Sequence, residues 1–161
     1  MLDTTIFTLT FLTALGSGLI GGVFFAFSTF IMAALGRIPP AHGMGAMQAI
    51  NVAVFNPWFG SLFALTPLAC LVLAAAALLG WGDLGRGYLL AGSALYLVGC
   101  FGATMAFNVP RNEALDKVDA DSPEGTAAWG RYVPSWTAWN HVRTVASVAA
   151  TIMFTVALVD G

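Results

Sequence analysis

The chain has 161 residues, of which 58% are hydrophobic and only 9% charged, with a formal net charge of -2. A soluble domain clothes itself in roughly 25% charged residues, so this composition excludes a water-soluble globule. No basic cluster exists to hold phosphates, which excludes nucleic-acid binding as well.

The few charges are unevenly spread. None lies between Asp3 and Arg37, between Arg37 and Asp83, or between Gly87 and Pro110. Each gap can hold the roughly 20 apolar residues that cross a bilayer core. The length allows one domain, residues 1–161. The expected fold class is all-α: an integral membrane four-helix bundle with a polar loop region between helices three and four. The spans are expected at about 5–35, 58–79, 88–109 and 136–159, with membrane lipid as the surrounding partner.

In span one, the apolar run lacks a positive leader and is too long for a cleaved signal, so it reads as a membrane helix. Gly18 and Gly22 stand at the small-xxx-small spacing that lets helix backbones approach. The aromatic stretch from Phe24 to Phe30 either lines an apolar pocket or packs against core and lipid. Pro39 and Pro40 then break the helix. A helical pattern resumes from Met44 to Phe55, either continuing into span two or lying apart as an interfacial helix. Asn56 and Pro57 interrupt it. Span two carries Pro67, a tolerable kink if neighbours satisfy the freed carbonyl. Gly80 to Gly87 reads as a tight turn, with Trp81 as an interfacial anchor. Cys70 and Cys100 fall inside apolar spans, with neither metal-ligand spacing nor a disulfide framework around them.

The segment from Arg111 to Ser135 concentrates the polar residues, with five of the eight acids and three of the six basic residues. Pro110 and Pro123 are placed to open short helices, the second with Ser122 as N-cap, and Ser135 can cap span four. Lysine and arginine counts set orientation. Arg37, Arg111, Lys117 and Arg131 fall in the long loops and only Arg86 in the short one, which puts the loops at 36–57 and 110–135 in the cytoplasm.

Two constellations at the loop-rich end could carry chemistry. Asn108 and Asn112 flank Pro110, where their amides either satisfy a helix junction or face a ligand. In the second, Trp136, Trp139 (or Asn140) and Arg143 share one helix face. Arg143 falls about two turns into span four, roughly 10 Å from its start. A guanidinium at that depth must snorkel, pair or face a polar cavity; Glu113, Asn108, Asn56 and Asn51 are the candidate partners. His141 is either a hydrogen-bonded structural histidine or a general base. With His42 the only other histidine, no metal or haem ligand set is apparent, and no cofactor is expected.

These pieces resemble the anthrone-oxygenase-like family of small membrane proteins. The matching stretches are GGVFFAFSTFIM at 21–32, AMQAIN at 46–51, Asn56 with Pro57, NVPRN at 108–112 and WTAWNHVR at 136–143, in family order. Near Arg111 the family usually shows a second uncharged residue, and the arginine here departs from that pattern. The resemblance implies a location in the bacterial cytoplasmic membrane and oxidation of an anthrone-like or phenolic aromatic by molecular oxygen, without metal or flavin. It further implies a substrate among Phe24, Phe27, Trp136 and Trp139, near Asn51, Asn56 and Asn140. His141 would remove a proton, and Asn108, Asn112 and Arg143 would hold the resulting oxyanion. The competing readings are a non-catalytic accessory or small-molecule-binding protein, as a homo-oligomer or a subunit of a larger membrane complex, and a small-molecule carrier.

Overall fold

A computed structural model of the chain describes residues 2–82 and 85–160. Five helices account for nearly all of it. The first, α1, runs through Leu2–Ala26, a π-helical stretch Phe27–Ile31 and Met32–Leu35. Then come α2 (Pro40–Ala53) and α3 (Pro57–Leu79). Helix α4 is built from Arg86–Ala94, the π-helical stretches Leu95–Gly102 and Thr104–Asn108, and Val109–Asp116. Pro123–Asp160 forms α5. Helices α1, α3, α4 and α5 are long and apolar enough to cross a membrane. Their outer faces expose Leu19, Leu65, Val98 and Val145, each more than half accessible, a surface that lipid rather than water would cover. The protein is an all-α integral membrane bundle of four spans.

The spans close into a ring: α5 lies along α1 and α4, and α3 lies along the other sides of both. Small residues set the closest approaches, but they are not Gly18 and Gly22. A Cβ on Gly22 would meet nothing within 4 Å, and one on Gly18 only ordinary contact with Thr151 at 3.5 Å. The tight points are Gly16 against Thr66, Gly21 against Ser147 and Gly99 against Ala146. The spacing rule names residues able to sit at a crossing; the rotation of α1 decides which ones do. At Gly99 a Cβ would fall 2.5 Å from the Ala146 methyl carbon. Gly99→Val should therefore force α4 and α5 apart at a cost of about 1–3 kcal/mol. Gly22→Val should leave stability unchanged. Thermal unfolding in detergent compares the two, and equal melting would refute this picture of the crossing.

Met44 to Phe55 is mostly a separate helix. Asn56 starts α3 afresh by accepting from Trp58 N and Phe59 N at 3.1 and 3.0 Å, a side-chain cap that satisfies two orphan donors. Helix α2 folds back over the loop-rich end, where Met44 and Met47 pack with Met32, Leu115, Trp129 and Trp136. Gln48 Nε2 donates to the carbonyls of Leu115 and Val118, both at 3.0 Å, closing the exposed end of α4. Asn51 Nδ2 donates to Asp116 Oδ1 at 3.1 Å.

The polar segment expected as loop is mostly helix. Pro110 does not end α4, because the backbone ahead of it has already left the regular register: Val109 N–H bonds Thr104 O, five residues back. A proline interrupts i→i−4 bonding, and here that bonding is already displaced. Ser122 does cap α5, accepting from Gly125 N at 2.9 Å. Ser135 caps nothing; it and Pro134 lie inside α5, which runs unbroken from Pro123. In the turn at 80–87, Asp83 and Leu84 lie outside the described residues. Gly80, at φ 74°, ends α3 in the left-handed conformation that glycine adopts without steric cost.

Candidate functional site

The inward face of α5 presents Trp136, Asn140, Arg143, Thr144 and Ser147, all buried. Arg143 is only 4% exposed. It stands 20 residues into α5, about 30 Å from the helix start at 1.5 Å per residue. Its partners are neutral. Nη2 donates to Asn140 Oδ1 at 2.7 Å, and Nη1 reaches Thr104 Oγ1 at 3.4 Å. The guanidinium lies 4.0 Å from the Phe24 ring centroid and 5.0 Å from that of Trp136. Aromatic faces attract a desolvated cation by about 2 kcal/mol each, whereas removing a charge from water costs several. The cation is accommodated rather than neutralised, and its field persists in the surrounding protein.

Of the partners expected from sequence, none holds Arg143. Glu113 is exposed, Asn51 is bound to Asp116 and Asn56 caps α3. Asn108 is buried beside α5, where its Nδ2 donates to Trp136 O at 3.2 Å. No helix junction exists at Pro110 for it to satisfy. Asn112 Oδ1 accepts from Tyr132 Oη at 2.9 Å and Trp136 Nε1 at 2.8 Å, which fixes the Trp136 ring over the cation. Phe27 packs against Trp136 with centroids 5.6 Å apart. Trp139 turns away and stacks on Phe107. Phe24, Phe27 and Trp136 thus spend their faces on one another and on Arg143, while Trp139 spends its own on Phe107.

The polarity leaves this interior through Asn140. Its Nδ2 donates to Phe24 O and to Ser28 Oγ, both at 2.7 Å. Thr144 Oγ1 gives its proton to Asn140 O at 2.9 Å. In the 3.0 Å Ser28–Thr144 contact the proton must therefore come from Ser28. Ser28 belongs to the π-helical stretch of α1 and Thr104 to that of α4. Such wide turns displace side chains from the regular helical positions and recur at functional sites.

Ser28 also lines a groove of about 330 Å³ on the outer surface between α1 and α5. Met32 and Ala33 form its α1 wall, with Pro134, Thr137 and His141 on α5. His141 is exposed here and stands apart from the inward side chains of Arg143, Asn108 and Asn112. Thr137 and His141 are four residues apart, so they stack on one helix face about 5–6 Å from each other. The Thr137 hydroxyl is buried and without a partner. Other threonines of the membrane helices, such as Thr10, Thr13, Thr66, Thr104 and Thr151, return their protons to the carbonyl one turn back. Thr137 does not, and its hydroxyl lies unpaired just beneath the groove wall.

Sequence reasoning missed Ser28, Thr104, Thr137 and Thr144. Small hydroxyl residues in apolar spans normally satisfy themselves locally, so their type carried no signal. The i, i+4 spacing of Thr137 and His141 was the one clue available. Among the described residues, no three His, Cys, Asp or Glu side chains gather as a metal site.

Fold and site together define a class: a small four-span helical membrane protein with a buried arginine held by neutral partners and a groove on its apolar flank. A model of the anthrone oxygenase family matches residues 55–153. That is well over half the chain, and the protein belongs to this family. The matched stretch contains Asn108, Thr137, Asn140, His141 and Arg143, while Phe24 and Ser28 precede it. No curated protein and no solved structure matches the chain.

Proposed function

We propose that the protein is a membrane oxygenase that draws an anthrone-like or phenolic aromatic from the bilayer into the groove between α1 and α5 and oxidises it with molecular oxygen. One observation carries this reading: a base, His141, and an unpartnered hydroxyl, Thr137, line the same groove, with the Arg143 charge behind it. Its volume falls within the usual range for small-molecule sites, about 300–1,000 Å³.

For an anthrone, His141 takes a proton from the ring methylene, and negative charge develops on the carbonyl oxygen. The Thr137 hydroxyl, rotated about χ1 from its buried position into the groove, donates a hydrogen bond to that oxygen. The Ser28 hydroxyl, turned from Thr144 into the groove, gives a second. Asn140 already holds Ser28 Oγ from behind, so this rotation leaves Ser28 anchored. The field of Arg143, relayed through Asn140, favours the anion. The electron-rich carbanion reduces oxygen, and a carbon–oxygen bond forms at the former methylene. The oxygen–oxygen bond then breaks. In total the methylene loses two hydrogens and gains one oxygen atom, while the other oxygen leaves with those hydrogens as water. Asn108 and Asn112 are positioning residues in this scheme, since they fix α5 and the Trp136 ring.

The cover of Phe24 and Trp136 over Arg143 favours a second reading, in which the groove binds an aromatic without converting it. Protein in lipid nanodiscs, supplied with an anthrone and air, separates the two. The oxygenase reading requires matched oxygen uptake and growth of anthraquinone absorbance. Thr137→Val should cut the rate by about 10²-fold, the typical effect of losing one oxyanion donor, with little change in KM. Tight binding of the anthrone with no turnover would leave only the second reading.

A further inference from the structure

A second cleft lies on the α4 side of α5. It encloses about 290 Å³ between the end of α4 and the first turns of α5. Its apolar walls come from Ala114, Leu115 and Ala128, and Arg111, Arg131 and Glu124 stand around it. Arg111 is held in position, with Nη1 donating to Phe107 O at 2.6 Å and Nε to Ser135 Oγ at 3.3 Å. Arg131 is exposed and, among the described residues, has neither a hydrogen-bond nor an ion-pair partner. Glu124 pairs with neither arginine. The cleft therefore carries two cations and one anion. Arg111 is also the first charged residue after the uncharged run that starts at Gly87. This sets the cleft at the level where α4 leaves the apolar layer, beside lipid headgroups.

We propose that this cleft binds the headgroup of an anionic phospholipid, its phosphate between Arg111 and Arg131 and its acyl chains running from there back along the apolar spans. Guanidinium groups suit phosphate because their planar fork offers parallel donors. The position of Arg111 at the edge of the apolar layer favours a lipid headgroup over a free anion. Glu124 limits the affinity by opposing the headgroup charge.

The test uses the full chain in nanodiscs of an equimolar phosphatidylglycerol and phosphatidylcholine mixture, released into native mass spectrometry. The wild type should retain phosphatidylglycerol in preference to phosphatidylcholine. Arg111→Gln and Arg131→Gln should each lower that preference about fivefold, and the double variant about 25-fold, the scale of one basic residue at an anionic surface. Glu124→Gln should raise it. Arg131 is exposed and makes no internal bond, so its variant folds and keeps the test decisive. Equal retention in the wild type and Arg131→Gln would overturn the proposal. So would thermal stabilisation by inorganic phosphate as large as that by phosphatidylglycerol, which would mark a site for soluble anions. Lipid retention is read without turnover, so the result stands apart from the oxygenase reading.

Discussion

His141→Ala should slow anthrone oxidation by about 10²–10⁴-fold, the range attributed to a positioned general base, while the unfolding temperature stays where it was. The two halves of this expectation come from the same fact. His141 is exposed on the groove side of α5, so removing its ring deletes no buried contact, and such surface changes usually stay within about 0.5 kcal/mol. A histidine that served the fold would behave in the opposite way. His141→Gln keeps much of the side chain's size and its hydrogen bonding but cannot take a proton, so it should be as slow as the alanine variant. Added imidazole should restore part of the rate to His141→Ala, because the groove is open at the surface. Stopped-flow absorbance of the anthraquinone, with a parallel melt in detergent, checks both halves. A variant that melts early and keeps its rate per folded molecule would remove His141 from the mechanism.

The second large effect concerns Arg143, and it depends on what replaces the guanidinium. Arg143→Ala should destabilise by about 3–5 kcal/mol, because it empties the space between Phe24 and Trp136 and leaves Asn140 Oδ1 buried without its donor. Arg143→Met fills most of that space and removes a buried charge that has no carboxylate to answer it. Exchanging a buried charge for an apolar side chain of similar volume is often neutral or stabilising. The orphaned Asn140 oxygen costs about 1–3 kcal/mol in return. The methionine variant should thus unfold within about 2 kcal/mol of the wild type and still lose about 10²-fold in rate, since the field behind Ser28 is gone. Urea or thermal unfolding set beside oxygen uptake separates the roles. If Arg143→Met proves as unstable as Arg143→Ala, the charge itself holds the bundle together and its part in the chemistry falls away.

Much of the candidate site could be named from sequence without being arranged. Asn108, Asn112, Trp136, Asn140 and Arg143 do converge, because i, i+3/4, i+7 spacing on α5 and the end of α4 brings them to one interface. His141, read from the same motif, faces the other way. Asn51 and Asn56 are at the right end of the bundle, but their amides are used to seat α2 and to start α3. Residue type marked each of these as polar in an apolar setting. It did not say which neighbour would take up the polarity.

The amino-acid sequence by itself determined the four membrane spans, the helical class and the presence of an arginine within the last of them. These follow from local sums, since twenty apolar residues must bury their own backbone polarity in lipid and a helix is the way one segment does so. Tertiary structure alone decided that α4 and α5 run on through the polar segment, that Arg143 rests on aromatic faces rather than on Glu113, and that Ser28 meets Asn140. The reason lies partly in the π-helical stretches of α1 and α4. Each added residue in a wide turn rotates everything beyond it by about 100° relative to a 3.6-residue helix. Periodicity read along the chain cannot register that rotation, and only packing against the neighbouring spans fixes where it falls.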